Sequence, residues 1–249
     1  RLIAALRTMG DAPVVVGGPG FSVLPEQVLA ATGADYGIVG EGEGLIVELA
    51  GALARGGRPA QRILRAPSTL AADEMPPPAY DRRILSFYQQ AGGLAPLQTK
   101  RGCPHRCAYC TYPLLEGRRL RPRACDAVID DILELQEAGA RQIFFTDSIF
   151  NDSEGHYRAL IDAMRRRRVS LPWTGFFRPE SMEPGWIAAM RETGLNAVEL
   201  GTDAAADATL RGLGKDFTFA EVEAAHARFV DAGLTVSHYF MMGGPGETR

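Results

Sequence analysis

The chain has 249 residues, 46% of them hydrophobic and 23% charged, and a formal net charge of −3. That balance is one of a soluble globular protein and excludes disorder, collagen and a disulfide scaffold. The charge excludes a general attraction to nucleic acid or anionic lipid, and no run approaches the roughly 18 apolar residues of a membrane helix.

The chain opens without methionine, lacks a signal-peptide layout, and stops on Gly-Pro-Gly-Glu-Thr-Arg after an apolar run; we read it as a fragment of a longer cytoplasmic protein. A short β-branched run, Val14 to Val16, leads into Gly17-Gly18-Pro19-Gly20 and a helix from Pro25 to Gly33. A second run, Tyr36 to Val39, leads into Gly40-Glu41-Gly42-Glu43-Gly44 and a helix from Leu45 to Ala54. Strand, glycine turn and helix, twice over, predict part of an open α/β layer across residues 1–55, with ligands at the carboxyl ends of the strands. Residues 56–93 lose periodicity and gather proline, including Pro76-Pro77-Pro78, which predicts an extended linker.

From residue 94 the alternation becomes regular. Strands are predicted over Leu94–Thr99, Gln142–Thr146, Leu171–Phe177, Asn196–Leu200 and Thr235–Met242. Helices are predicted over Asp126–Ala138, Ser153–Arg167, Pro184–Thr193 and Glu221–Ala232. Val128, Ile129, Ile132, Leu133 and Gln136 form one helical stripe, and Tyr157, Leu160, Ile161 and Met164 another. Thr218 with Glu221 has capping-box spacing. Successive β/α units imply a parallel sheet, doubly wound or curling toward a TIM-like barrel, with function at the carboxyl ends of its strands.

Right after the first of these strands, Lys100-Arg101-Gly102-Cys103-Pro104-His105-Arg106-Cys107-Ala108-Tyr109-Cys110 sets three of the four cysteines at C-x3-C-x2-C. A loop holding Gly102 and Pro104 is expected to curl until the three sulfurs converge. Four-iron clusters normally take four thiolates, so three would leave one iron open to a ligand. The competing reading is zinc held by the same cysteines with His105, as a binding module without turnover. Cys125 lies outside the motif and is expected to pack, as are His226 and His238. Arg118, Arg119, Arg121 and Arg123 are expected to solvate a loop, and Arg165 to Arg168 to solvate a helix end.

This motif, with an aromatic residue before its last cysteine in a (β/α) domain, resembles the radical S-adenosylmethionine (SAM) enzymes. The resemblance spans residues 94–249 and implies a partial TIM-like barrel in which Cys103, Cys107 and Cys110 bind a 4Fe-4S cluster. In that family the cluster chelates SAM and cleaves it to a 5′-deoxyadenosyl radical. Carried over, Tyr109 packs near the adenine. Asp147 and Ser148, in Phe144-Phe145-Thr146-Asp147-Ser148-Ile149-Phe150-Asn151, hold the methionyl ammonium, and Arg178 faces the carboxylate. Glu199 or Asp203 meets the ribose, and Gly243 and Gly244 admit the adenine to the backbone.

The amino-terminal piece resembles the carboxyl-terminal half of the Rossmann-like cobalamin-binding domain that precedes many such barrels, with Gly17 and Gly18 against the nucleotide tail. The implied function is cobalamin-dependent methylation or rearrangement of an unactivated carbon in a small molecule, with a flavodoxin or ferredoxin as electron donor. Cobalamin-free methylthio transfer or dehydrogenation is the second enzymatic reading.

Overall fold

The computed structural model describes residues 2–66, 69–90, 92–169, 171–180 and 183–248. In chain order its elements are α1 (Leu2–Arg7), β1 (Val15–Val16), α2 (Gly18–Val23), α3 (Pro25–Thr32), β2 (Tyr36–Val39), α4 (Glu43–Ala54), β3 (Ile63–Arg65), α5 (Arg82–Gln90), β4 (Ala95–Leu97), β5 (Lys100–Arg101) and α6 (Tyr112–Leu115). Then follow β6 (Arg121–Pro122), α7 (Cys125–Glu137), β7 (Ile143–Phe145), α8 (His156–Arg166), β8 (Trp173–Phe177), α9 (Pro184–Glu192), β9 (Ala197–Asp203), α10 (Asp207–Gly212), α11 (Phe219–Asp231) and β10 (Thr235–Phe240). They divide into two compact units: residues 1–76 with 102–104 and 110–120, and residues 77–101 with 105–109 and 121–249.

The first unit is a parallel sheet ordered β1-β2-β3. Tyr36, Gly37 and Ile38 are buried at its centre. A Cβ on Gly37 would lie 1.9 Å from the Phe21 ring, so glycine is what lets α2 close on β2. β3 is a correction to the expected linker: Ile63, Leu64 and Arg65 pair in register with Gly37, Ile38 and Val39. Three residues without periodicity carry no sequence signal, and pairing to an existing strand is what makes them a strand. The rest of 56–93 is also partly ordered, since α5 belongs to the second unit; residues 67, 68 and 91 of that span lie outside the described residues.

The second unit is a five-stranded parallel sheet ordered β10-β9-β8-β7-β4. Each new strand joins the same edge, and there is no reversal of the kind that defines a doubly wound sheet, so the winding is that of a barrel. The helices cover one face. Alternate residues Ala95, Leu97, Ile143, Phe145, Trp173, Phe177, Val198 and Leu200 point into the core beneath them. There Phe150 packs against Trp173, Phe177 and Phe145 with ring centroids 4.7, 5.4 and 5.2 Å apart. Each such ring, fully buried, stabilises by roughly 1.5–3 kcal/mol.

The predicted stripe of α8 is buried throughout and that of α7 only in part, since Leu133 is half-buried and Gln136 exposed while Leu135 is buried. Tyr157, Leu160, Ile161 and Met164 of α8 are all buried, and α7 buries Val128, Ile129 and Ile132. Thr218 caps α11, its hydroxyl accepting from the Glu221 amide at 3.3 Å while its own amide donates to Glu221 at 2.7 Å. Among the described residues no helix is long and apolar enough to cross a membrane.

Candidate active site around the cysteine loop

The loop departs from the carboxyl end of β4, which a buried charge cluster fixes. The Asp147 carboxylate accepts from the Thr99 amide at 2.7 Å, the Thr99 hydroxyl at 2.5 Å and Lys100 Nζ at 3.0 Å. Lys100 Nζ also reaches Asp152 at 3.3 Å and the Phe150 carbonyl at 2.9 Å, and its side chain is 2% exposed. Both oxygens of Asp147 therefore have partners inside the protein. A buried ammonium between two carboxylates needs this full set of acceptors to offset its desolvation.

Within the first unit, Gly102 holds φ +89°, and a Cβ there would lie 2.0 Å from the Arg119 carbonyl oxygen. Its amide donates to Glu116 at 3.1 Å, and the Cys103 amide donates to the Gly117 carbonyl at 3.2 Å. α6, just after Cys110, packs against α2, which opens at Gly18. Gly18 holds φ +83°, with nothing within 4 Å of where a Cβ would sit. Beside it, Gly17 is 3.5 Å from the Ile38 carbonyl by the same measure.

Within the second unit, residues His105 to Tyr109 dock on Leu213 to Phe217. The Ala108 amide donates to the Leu213 carbonyl at 2.8 Å. A Cβ on Gly214 would lie 2.6 Å from the Arg106 carbonyl oxygen. The Tyr109 hydroxyl donates to Asp203 at 2.5 Å and accepts from Lys215 at 3.2 Å, while Lys215 pairs with Asp203 at 2.5 Å. Asp203 takes φ +62° at the end of β9, a left-handed conformation that a non-glycine residue holds only when its surroundings fix it. Arg178 bridges Glu180 and Asp216 and lies 5.0 Å over the Phe217 ring. His105 Nδ1 faces Asp216 at 3.7 Å. Burial and the Arg178 guanidinium hold the His105 pKa below its ordinary value.

The second unit thus holds Tyr109 and Asp203 through Lys215 and Arg178 through Asp216, with both cations over the Phe217 ring; neither Lys215 nor Asp216 has any sequence signal. Asn151 ties the end of β8, its amide donating to the Arg178 and Glu180 carbonyls at 2.9 and 3.1 Å. The Gly243 and Gly244 amides both donate to Glu247, at 2.6 and 2.9 Å. Gly244 has a packing reason to be glycine, since a Cβ would lie 3.0 Å from Thr209, whereas the space beside Gly243 is open. Two of the anticipated ligand contacts retain a buried oxygen with no partner among the described residues: Ser148 Oγ and Glu199 Oε2. Such atoms in a native fold call for a water, an ion or a ligand.

Cys103 is buried, Cys107 and Cys110 are half-buried, and none of the four cysteines is in a disulfide. Among the described residues no three His, Cys, Asp or Glu side chains are gathered as a metal-binding set, so the expected convergence of the sulfurs is not displayed. The donor chemistry nonetheless fits a cluster, because three thiolates on one loop are the soft ligands iron–sulfur centres take. The loop arginines depart from expectation. Arg121 and Arg123 are buried, and Arg123 pairs with Asp131 at 2.7 Å and donates to the Gln98 carbonyl at 3.1 Å. His226 and His238 contact each other at 2.9 Å, and His238 meets the Thr202 hydroxyl at 2.6 Å.

A singly wound parallel sheet with a thiol-rich loop at the carboxyl end of its first strand defines a (β/α)-barrel protein built to hold a soft-metal centre. The chain belongs to the radical SAM superfamily, whose family model matches residues 97–249. It is 28% identical to an uncharacterized methyltransferase of Pyrococcus horikoshii, covering 95% of this chain and 55% of that one. It is 26% identical to tryptophan 2-C-methyltransferase of Streptomyces laurentii, covering 99% and 54%. The structure of the radical SAM methyltransferase TsrM from Kitasatospora setae, with cobalamin and a [4Fe-4S] cluster bound, superposes with a TM-score of 0.83 at 26% identity, covering 99% of this chain and 54% of that one. The chain spans about half the length of the curated relatives it matches.

Proposed function

We propose that the chain is the cofactor-bearing part of a cobalamin-dependent radical SAM methyltransferase acting on an unactivated carbon of a small molecule. The observation that carries this reading is the three-thiol loop at the carboxyl end of β4, in a chain aligned over 99% of its length with a methyltransferase solved with cobalamin and cluster. Cys103, Cys107 and Cys110 would hold the cluster. When bound, the cluster supplies the electron that splits SAM and cobalamin carries the methyl group.

The other residues bind and position. Ser148 offers a buried hydroxyl without a protein partner to the SAM methionyl group. Asp147 acts by holding Thr99 and Lys100, and so the strand end from which the loop starts. Tyr109, held by Lys215, and Arg178, held by Asp216, line the ligand side. Gly18 and Gly243 leave space for a ligand to approach the backbone. The electron donor is a flavodoxin or ferredoxin, and the net charge of −3 favours a small molecule over nucleic acid as substrate.

The test is anaerobic reconstitution of the full-length protein with iron, sulfide and cobalamin, followed by reduction in the presence of SAM. Expected are cobalamin retained after desalting, and 5′-deoxyadenosine or S-adenosylhomocysteine among the products. Protein that retains no cobalamin and leaves SAM intact contradicts the proposal.

A further inference from the structure

The face of the five-stranded sheet opposite the helices carries an aromatic row around one carboxylate. Alternation puts Pro96, Phe144, Phe176, Glu199 and Ser237 on this face, since their strand neighbours such as Leu97, Phe145, Phe177, Val198 and Val236 belong to or pack on the helix-covered core; Tyr239, where the register of β10 shifts, joins them through its ring contact with Phe176. Register sets Phe176, Glu199 and Ser237 side by side across β8, β9 and β10. Phe144 meets Phe176 edge-on at 5.1 Å between centroids, and Phe176 meets Tyr239 at 6.2 Å. These rings are not core: Phe176 is 37% exposed and Tyr239 52%.

Glu199 stands among them, beside Phe176 and Ser237 in register. The adjacent Glu199 carboxylate pushes the Tyr239 phenol pKa above its ordinary value. Oε2 is buried and has no partner among the described residues. A carboxylate oxygen shut off from water and walled by aromatic rings is short of a donor, and leaving it so costs about 1–3 kcal/mol. Beside Phe144 and Pro96 lies a cavity of about 580 Å³, also lined by Tyr80, Ile84, Leu85 and Tyr88, which is within the size range of small-molecule sites.

Resting on the radical SAM reading above, we propose that this face is the substrate platform and that it selects a flat aromatic ring bearing an N–H donor. The ring packs against Phe176 and Phe144, and its N–H donates to Glu199 Oε2. Glu199 is thereby moved from the SAM ribose, to which the resemblance assigned it, to the substrate. A ribose offers hydroxyl donors but no flat apolar surface for the exposed Phe176 and Tyr239 rings and the half-buried Phe144. Glu199 also sits mid-strand, four residues before the strand end at Asp203.

The test compares two probes of the same shape, indole and benzothiophene, the second having sulfur in place of N–H. Dissociation constants are measured by ligand-observed NMR on the whole chain without cluster. Indole is expected to bind about tenfold or more tighter than benzothiophene, the effect of one unmet buried acceptor. Glu199→Leu is expected to bring the ratio to about one, and Phe176→Ala to weaken both probes about tenfold. Should Glu199→Leu fail to fold, the wild-type ratio and Phe176→Ala decide. Equal binding of the two probes, no binding of either, or a Glu199→Leu chain that keeps the ring preference overturns the proposal. Because the measurement needs neither iron nor turnover, its failure is distinguishable from failure of the radical SAM reading.

Discussion

Replacing Lys100 with methionine is expected to destabilise the second unit by about 3–5 kcal/mol, the range seen when one partner of a buried ion pair is removed. Methionine fills similar volume but leaves Asp147 and Asp152 facing each other without a cation, both at most 1% exposed in their side chains. Asp147 keeps its bonds to Thr99, and Asp152 keeps those from the His156 and Tyr157 amides at 3.1 and 3.2 Å. The loss is therefore one of charge compensation rather than of every hydrogen bond. Both tryptophans of the chain, Trp173 and Trp186, lie in this unit, so tryptophan fluorescence during urea unfolding reads it directly. The midpoint is expected to fall by about 2 M. A fall worth under about 1 kcal/mol would show the Lys100 cluster to be solvated in practice.

Gly102→Ala is expected to separate folding from cofactor loading. Alanine at φ +89° costs about 1–2 kcal/mol in backbone conformation. Its Cβ would also meet a main-chain oxygen at 2.0 Å, which no side-chain adjustment relieves. The loop must move, and Cys103, bonded through its own amide to Gly117, moves with it. The expected result is a loss of iron affinity of about tenfold or more, comparable to disturbing the residues that orient a metal ligand. The tryptophan-reported midpoint of the second unit is expected to change by less than about 0.5 kcal/mol. Wild-type iron content in the Gly102→Ala chain would mean that the backbone turn at Gly102 does not govern the thiols.

Much of the second unit was legible because its signals are local and periodic. The stripes of α7 and α8 and the β-branched and aromatic runs of β7 to β9 carry their period in a few consecutive residues. β3 and the β5–β6 pair were not legible, since two or three residues become a strand only by pairing with a distant partner. At the site, cysteine spacing is a one-dimensional signal, and it survives translation into structure as a loop at a strand end. Asp147 was legible as an acceptor, but its partners Thr99 and Lys100 lie 48 and 47 residues away, and nothing in the chain announces that pairing. Lys215 and Asp216 were invisible for the same reason: their meaning comes from Tyr109, Asp203 and Arg178, which only the fold brings near. The buried Arg123 shows the converse. A basic run reads as a solvated loop until Asp131, on the core side of α7, supplies a counter-charge.

Counting iron and acid-labile sulfide after anaerobic reconstitution, in the wild-type chain and in Cys107→Ala, decides whether Cys103, Cys107 and Cys110 carry an iron–sulfur cluster. About four irons and four sulfides per wild-type chain are expected, with the paramagnetic signal of a reduced cluster, and loss of both in the variant. One zinc per chain, with neither sulfide nor signal, would contradict a cluster there.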